Sequence, residues 1–322
     1  MIISIDLGGT KMLATLMDRE YQVVDSDKIR TPQTTDGGEI LSLMLESIRK
    51  LMNSAELGKE DVTGVAVGVP SAVDFKRGIV LSATNIGFEH YPLRDRLTEE
   101  LGVPVLVEND VNAGLYGEFR RGAGVGKEDI IGLYPGTGIG GAMILDGRLY
   151  RGVSGGAGEM GHMIIQSGGR LCGCGRYGCL ETLASKTALA KDLVQLAATG
   201  KAPSILEKVG SDYTMVKSSH IKKAIEAGEE AVIDLVNRAA DFLGIGMANY
   251  VNIFNPELII LGGGLIEKLG DRFVARAEAS MRANGMPVLL KDVEVAQASL
   301  GDDTVIVGAA MLLAAQLEPG SV

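Results

Sequence analysis

Residues 2–17 read IISIDLGGTKMLATLM, and residues 130–145 read IIGLYPGTGIGGAMIL. Sliding the chain by 128 positions lays Ile2 on Ile130 and Asp18 on Asp146 without a gap. Each stretch is a short apolar run, a glycine- and threonine-containing turn and a second apolar run, which predicts strand, tight turn, strand. Repetition implies two related domains, each presenting a glycine turn. Outside the repeat, short apolar runs alternate with helical patterns, the mark of an α/β protein. From Glu39 to Met52 the residues Ile40, Leu43, Met44, Ile48, Leu51 and Met52 fall at helical spacing. Residues 62–69 and 104–107 read as buried strands. A helix over 229–252 is closed by Asn255-Pro256, and the strand 258–261 runs into Gly262-Gly263-Gly264. The largely apolar stretch 305–316 predicts a docked helix.

With 322 residues, 46% hydrophobic against 22% charged, the chain can bury a sizeable core in two domains. Its 31 Lys+Arg against 41 Asp+Glu leave a net charge of −10, the wrong sign for a phosphate backbone, so no nucleic-acid partner is expected. No membrane partner is expected either: the apolar run 305–317 falls short of the roughly 20 residues a span requires. Residues 1–5 carry no basic segment of a signal peptide, which predicts a cytoplasmic protein. The 44 glycines follow no collagen-like period and point to tight turns and backbone approaching a ligand.

Four motifs carry chemistry. In DLGGTK, Gly8 and Gly9 expose backbone N–H groups, Thr10 and Lys11 add donors, and Asp6 can hold hydrated Mg²⁺; a polyphosphate fits, and so does a plain β-turn. The partner turn Pro135 to Gly141 offers Gly136, Thr137 and Gly138 at the matching place. It resembles a dinucleotide fingerprint, yet residues 142–145 continue as a strand rather than opening a helix. GAGVGK at 122–127 lacks the spacing and the Ser/Thr of a phosphate loop and reads as a surface loop. In VENDVN, Asp110 follows a buried strand; it is either a general base, with Asn109 orienting a substrate hydroxyl, or a helix cap. Finally, His162, Cys172, Cys174 and Cys179 hold every cysteine of the chain within eight positions. One imidazole and three thiolates complete a closed, structural Zn²⁺ site, whereas His90 and His220 lack such company.

DLGGTK, GVP at 68–70, TNIGF at 84–88, END at 108–110, GTGIGG at 136–141, EMGH at 159–162, CGCGRYGCLE at 172–181 and NPELIILGGG at 255–264 occur in the order seen in ROK-family sugar kinases, which the chain resembles over almost its whole length. The resemblance implies an actin/hexokinase-like (ribonuclease H-like) α/β fold of two domains around a cleft, divided here as 1–110 plus 305–322 and 111–304. It implies ATP phosphates at Thr10, Thr137 and their neighbours, with Gly262, Gly263 and Gly264 approaching the adenosine. Asn85, Asn109, Asp110, Glu159, His162 and Glu181 would contact a hexose, with Asp110 as base. A homodimer is also implied. Repressors of the family carry a DNA-binding segment ahead of this first strand, so a chain opening on the strand is expected on the enzyme branch. Glucose is favoured by ETLAS at 181–185, while Phe88 departs from the glucokinase pattern; fructose, mannose and N-acetylated hexosamines share the frame. A non-catalytic sugar sensor and another actin-like ATPase are the readings from other classes. Zinc loss is expected to weaken sugar binding more than nucleotide binding, because the phosphate turns lie far off in sequence.

Overall fold

Ile3, Ile5 and Leu7 lie in one core, while Ser4 between them donates from Oγ to the carbonyl of Ile306 at 2.7 Å. A strand buried on both faces is central, and β1 (Ile2–Leu7) is the middle of its sheet. The computed structural model describes residues 1–34, 36–83 and 86–318.

In chain order the first sheet is built from β1, β2 (Lys11–Met17), β3 (Val23–Arg30), helix α1 (Gly37–Ser54), β4 (Gly64–Val69), α2 (Leu93–Leu101) and β8 (Val105–Asn109), which leads directly into α3 (Asp110–Arg121). A three-stranded sheet of β5 (Val73–Asp74), β6 (Ile79–Ala83) and β7 (Phe88–Tyr91) interrupts the sequence. Strand order is β3-β2-β1-β4-β8, with β1 antiparallel to β2 and parallel to β4. The predicted helix over 39–52 is α1, whose Ile40, Met44, Ile48 and Leu51 join the core of this sheet.

The second sheet repeats the plan. β9 (Ile130–Pro135), β10 (Ile139–Leu145) and β11 (Arg148–Leu149) are followed, after a long insertion, by α8 (Glu230–Phe254), β12 (Leu258–Leu261), α9 (Ile266–Asn284), β13 (Glu294–Gln297) and α10 (Thr304–Leu317). The insertion carries α4 (Glu181–Ala184), α5 (Lys186–Ala198), α6 (Pro203–Val209) and α7 (Ser218–Glu226). Strand order is β11-β10-β9-β12-β13, again with β9 antiparallel to β10 and parallel to β12.

The repeat is therefore topological, and its register corrects the gapless match. Leu7 pairs with Met12 across the first turn, but Pro135 pairs with Ile139 across the second. The second turn is one residue shorter, so the offset of 128 holds for β1 and β9 and slips by one in β2 and β10. A one-residue slip exchanges the faces of a strand, so the gapless match lays residues of β2 on residues of β10 that face the other way.

The chain divides into two compact units, Met1–Val125 with Leu149–Ala157 and Asp302–Val322, and Gly126–Arg148 with Gly158–Gly301. The sequence division falls at residue 110, whereas the first unit runs on through α3. Glycines are the physical reason. A Cβ on Gly308 of α10 would lie 1.7 Å from the Ala113 carbonyl oxygen, and one on Gly117 would lie 2.7 Å from that of Thr304. α3 and α10 thus meet backbone to backbone. Among the described residues no helix is long and apolar enough to cross a membrane.

Candidate functional site

In the first unit, the chain passes from β8 into α3 with Asn109 as the helix cap: its side-chain oxygen accepts from the Asn112 N–H at 3.0 Å. Asp110 is thereby relieved of the capping role that sequence alone left open. Its Oδ1 accepts from its neighbour's backbone N–H, at Val111, and from Asn109 Nδ2. Burial, and behind it the Asp6 carboxylate, push the Asp110 carboxyl up to about 7. Asp6, at the end of β1, is itself raised by burial, with Lys11 opposing and Asp302 adding to the rise. Three carboxylates on β1, α3 and the approach to α10 share one electrostatic neighbourhood, which suits a hydrated divalent cation.

The sequence reading missed what lies beneath them. Glu108 is buried and accepts from Arg151 Nε at 2.6 Å, from Asn112 Nδ2 at 3.0 Å and from the Asn109 N–H at 2.9 Å. Arg151 in turn lies over the Phe75 ring at 4.7 Å. Both oxygens of Glu108 are engaged, so it fixes the first turn of α3. Forty-odd residues separate Glu108 from Arg151, and no spacing signal connects them.

The first glycine turn is held from outside. Gly8 N–H donates to the Lys11 carbonyl at 2.9 Å, Thr31 Oγ1 to the Gly8 carbonyl at 2.8 Å, and Gln33 Nε2 to the Gly9 carbonyl at 2.7 Å. Thr10 and Lys11 stay exposed. Asn85, assigned to the sugar by resemblance, lies outside the described residues.

In the second unit, His162, Cys172, Cys174 and Cys179 bring their ligand atoms within 4.8 Å of one another. His162 Nδ1 is 3.6 Å from Cys172 Sγ, and Cys174 Sγ is 3.7 Å from Cys179 Sγ. Ligands at about 2.3 Å from Zn²⁺ in a tetrahedron stand about 3.8 Å apart, so the four donors fit this ion in number, chemistry and spacing. Burial pushes the Cys172 thiol up to about 12, a cost that coordination of the thiolate offsets. Because Nδ1 faces the sulfurs, Nε2 is the outward nitrogen, 3.8 Å from Glu159 Oε2.

Glu181 follows two residues after the last cysteine and does more than face outward. Its Oε2 accepts from the Ile139 N–H at 3.0 Å, at the exit of the second glycine turn, and Gly138 is pressed against the same oxygen. Lys186 N–H donates to the Gly136 carbonyl at 2.8 Å and Thr187 Oγ1 to that of Thr137 at 2.7 Å. The expected separation of the cysteine loop from the glycine turns is corrected by these bonds for the second turn: distance along the chain is not distance in the fold.

Gly262 to Gly264 close β12. Gly262 is packed so tightly that a Cβ would meet the Tyr134 ring at 2.6 Å, and Gly263 adopts φ +84°, a conformation that favours glycine. The turn opens α9, and α7, α8 and α9 enclose a cavity of about 290 Å³ lined by Lys222, Ile225, Val236, Lys268 and Phe273 among others. Gly270, φ +62° and ψ −152°, breaks α9 at its wall.

Residues 2–316 match the model of the ROK family. Identity to a glucokinase of Halalkalibacterium halodurans is 32%, covering 98% of this chain and 95% of that one. A xylose repressor of Caldicellulosiruptor bescii is 30% identical, covering 95% of this chain and 76% of the repressor. The crystal structure of a ROK family glucokinase from Streptomyces griseus in complex with glucose and AMPPNP superposes with a TM-score of 0.82 at 33% identity, covering 97% of this chain and 98% of that one. The actin/hexokinase-like fold read from the sequence is the fold of the chain.

Proposed function

The chain belongs to the ROK family, and from that membership we propose that it transfers the γ-phosphoryl group of ATP to the 6-hydroxyl of glucose. One observation carries the mechanism: the Asp110 carboxyl, displaced to about 7 at the start of α3, is poised to take a proton near neutral pH. As the hydroxyl oxygen attacks phosphorus, its proton passes to Asp110, while Asn109 holds the carboxylate from Nδ2.

The two glycine turns, Asp6 to Lys11 and Pro135 to Gly141, meet the phosphates through backbone N–H groups and the Thr10 and Thr137 hydroxyls. Adenine occupies the cavity beside Gly262 to Gly264, where Ile225, Val236 and Phe273 supply apolar walls. Asp6 would hold hydrated Mg²⁺, which when bound would neutralise charge on the phosphates. His162, Cys172, Cys174 and Cys179 would hold Zn²⁺ as four protein donors, and its part would be to orient the loop. With Nδ1 committed to the metal, His162 carries its proton on Nε2 and donates to a sugar hydroxyl, as Glu159 and Glu181 accept from others. The cytoplasm, which supplies ATP and keeps thiols reduced, is the compartment this chemistry suits.

A coupled assay of ADP release with glucose, fructose, mannose, N-acetylglucosamine and N-acetylmannosamine tests the proposal. Glucose is expected to give the highest kcat/KM, and polyphosphate in place of ATP to give none. The likeness to a xylose repressor favours a second reading, a sugar-binding sensor. Binding of glucose or xylose without ADP release would establish it.

A further inference from the structure

Every residue from Gly136 to Ile139 in the second glycine turn is touched by the segment that follows the last cysteine. Lys186 N–H reaches the Gly136 carbonyl, Thr187 Oγ1 the Thr137 carbonyl, and Glu181 Oε2 both packs on Gly138 and accepts from Ile139 N–H. A Cβ on Gly138 would lie 2.2 Å from that oxygen, so the turn and the carboxylate are fitted to each other. The histidine side of the loop reaches the same place. A Cβ on Gly161, the neighbour of His162, would lie 2.1 Å from the Ile139 carbonyl oxygen, so the E-x-G-H turn is seated on Ile139 as Glu181 is bonded to it. Glu181 Oε1 in turn stands 3.5 Å from Cys172 Sγ. The two ends of the metal loop, near residue 162 and near residue 181, converge on one backbone unit.

We propose that the Cys/His loop is a positioning element for the second glycine turn, with Glu181 as the bond between them, so that the metal supports nucleotide phosphates and not the sugar alone. The inference rests on the reading of Pro135 to Gly141 as a phosphate turn. A charged acceptor on a backbone N–H contributes about tenfold to an equilibrium. Without it the Ile139 N–H is released, and the turn keeps only its Gly136 to Gly138 bond and those from Lys186 and Thr187. Adenosine, which has no phosphate, is indifferent to the turn, and this separates positioning from general damage.

The test measures dissociation constants of ADP and adenosine, without sugar, by calorimetry on the full chain. Four proteins are compared: zinc-loaded wild type, chelator-treated wild type, Glu181→Ala and Glu181→Gln. Chelation and Glu181→Ala are expected to weaken ADP about tenfold and leave adenosine within about twofold. Glu181→Gln keeps an oxygen for the Ile139 N–H without its charge, and is expected to bind ADP between wild type and Glu181→Ala while losing glucose affinity. Hydrogen exchange of the peptide over 136–141 supplies a second measure, with protection falling about tenfold on chelation or in the Ala variant. Unchanged ADP affinity and unchanged exchange after chelation would overturn the proposal, as would a parallel loss of ADP and adenosine. Failure of the underlying reading is distinguishable, because zinc-loaded wild type would then bind no ADP.

Discussion

The two halves of the chain each place a glycine turn at the corresponding point of their own sheet and brace it from the same point in chain order, between the third strand and a later long helix. In the first half that segment is residues 31–36, and Thr31 and Gln33 hold the turn by its carbonyls. In the second half it is residues 150–229, and Glu181, Lys186 and Thr187 hold the turn. A duplicated scaffold thus fixes where support is needed, while the supporting segment is free to grow. The second brace carries the His162, Cys172, Cys174 and Cys179 cluster. Reactive chemistry is divided differently. The first half has Asp6 one residue before the end of β1 and opens its last helix with Asp110, whereas the second has Tyr134 and Thr304 in the corresponding places.

That division is tested hardest by Asp110→Asn. An amide retains the bonds from Val111 and Asn109 but takes no proton, so kcat is expected to fall by about 10² to 10⁴ with glucose KM little changed. In wild type, kcat/KM should rise with pH and level off above about 7, where Asp110 is ionised. Stability moves the other way. The folded state holds this proton more tightly than the unfolded chain, so wild type loses stability as pH rises from the ordinary carboxylate range through about 7. Asp110→Asn is exempt. Its Tm should exceed that of wild type at pH 8 and converge with it towards pH 4. A variant with normal kcat, or one less stable at every pH, would return Asp110 to a structural role.

Next in size is Gly308→Ala, which probes the close approach of α10 to α3. The new methyl would lie 1.7 Å from the Ala113 carbonyl oxygen, and backbone must shift to admit it. A loss of about 3 kcal/mol is expected in urea unfolding. Gly136→Ala is the companion measurement: nothing stands within 4 Å of its Cβ, so stability should hold within about 0.5 kcal/mol. Equal losses at both positions would mean that the turn glycine, too, is demanded by packing.

What the sequence made legible follows from range. Strand, turn and strand are local patterns, so β1, β2, β9 and β10 and their repetition could be read directly, and four metal donors clustered in a short stretch announce themselves by composition. The one-residue difference between the turns could not be read, because apolar patterning tolerates a slip that hydrogen bonding does not. Asn109 and Asp110 are both good caps by residue type, and only the backbone at the start of α3 distinguishes them. Glu108 with Arg151, and Glu181 with Ile139, join residues some forty positions apart. Such pairs are set by how sheets and helices stack, and no periodicity encodes them.

The smallest effect is expected at the first brace, and it decides whether the two braces are separate devices. Thr31 is buried, and its hydroxyl serves the Gly8 carbonyl while its backbone N–H serves that of Thr10. Thr31→Val preserves shape and the backbone bond and removes only the hydroxyl, a change of about 1 kcal/mol, or about fivefold in ADP affinity. No metal ligand lies on this segment, so zinc content should match wild type. Chelating the variant should then weaken ADP by the same further factor as chelating wild type, because supports without shared partners act additively. If chelation has no further effect once Thr31 is changed, the two turns respond as one unit and the division between a simple brace and a metal-supported one fails. If Thr31→Val leaves ADP affinity intact, the first turn keeps its shape through its own Gly8 to Lys11 bond, and the Thr31 hydroxyl is no brace for it.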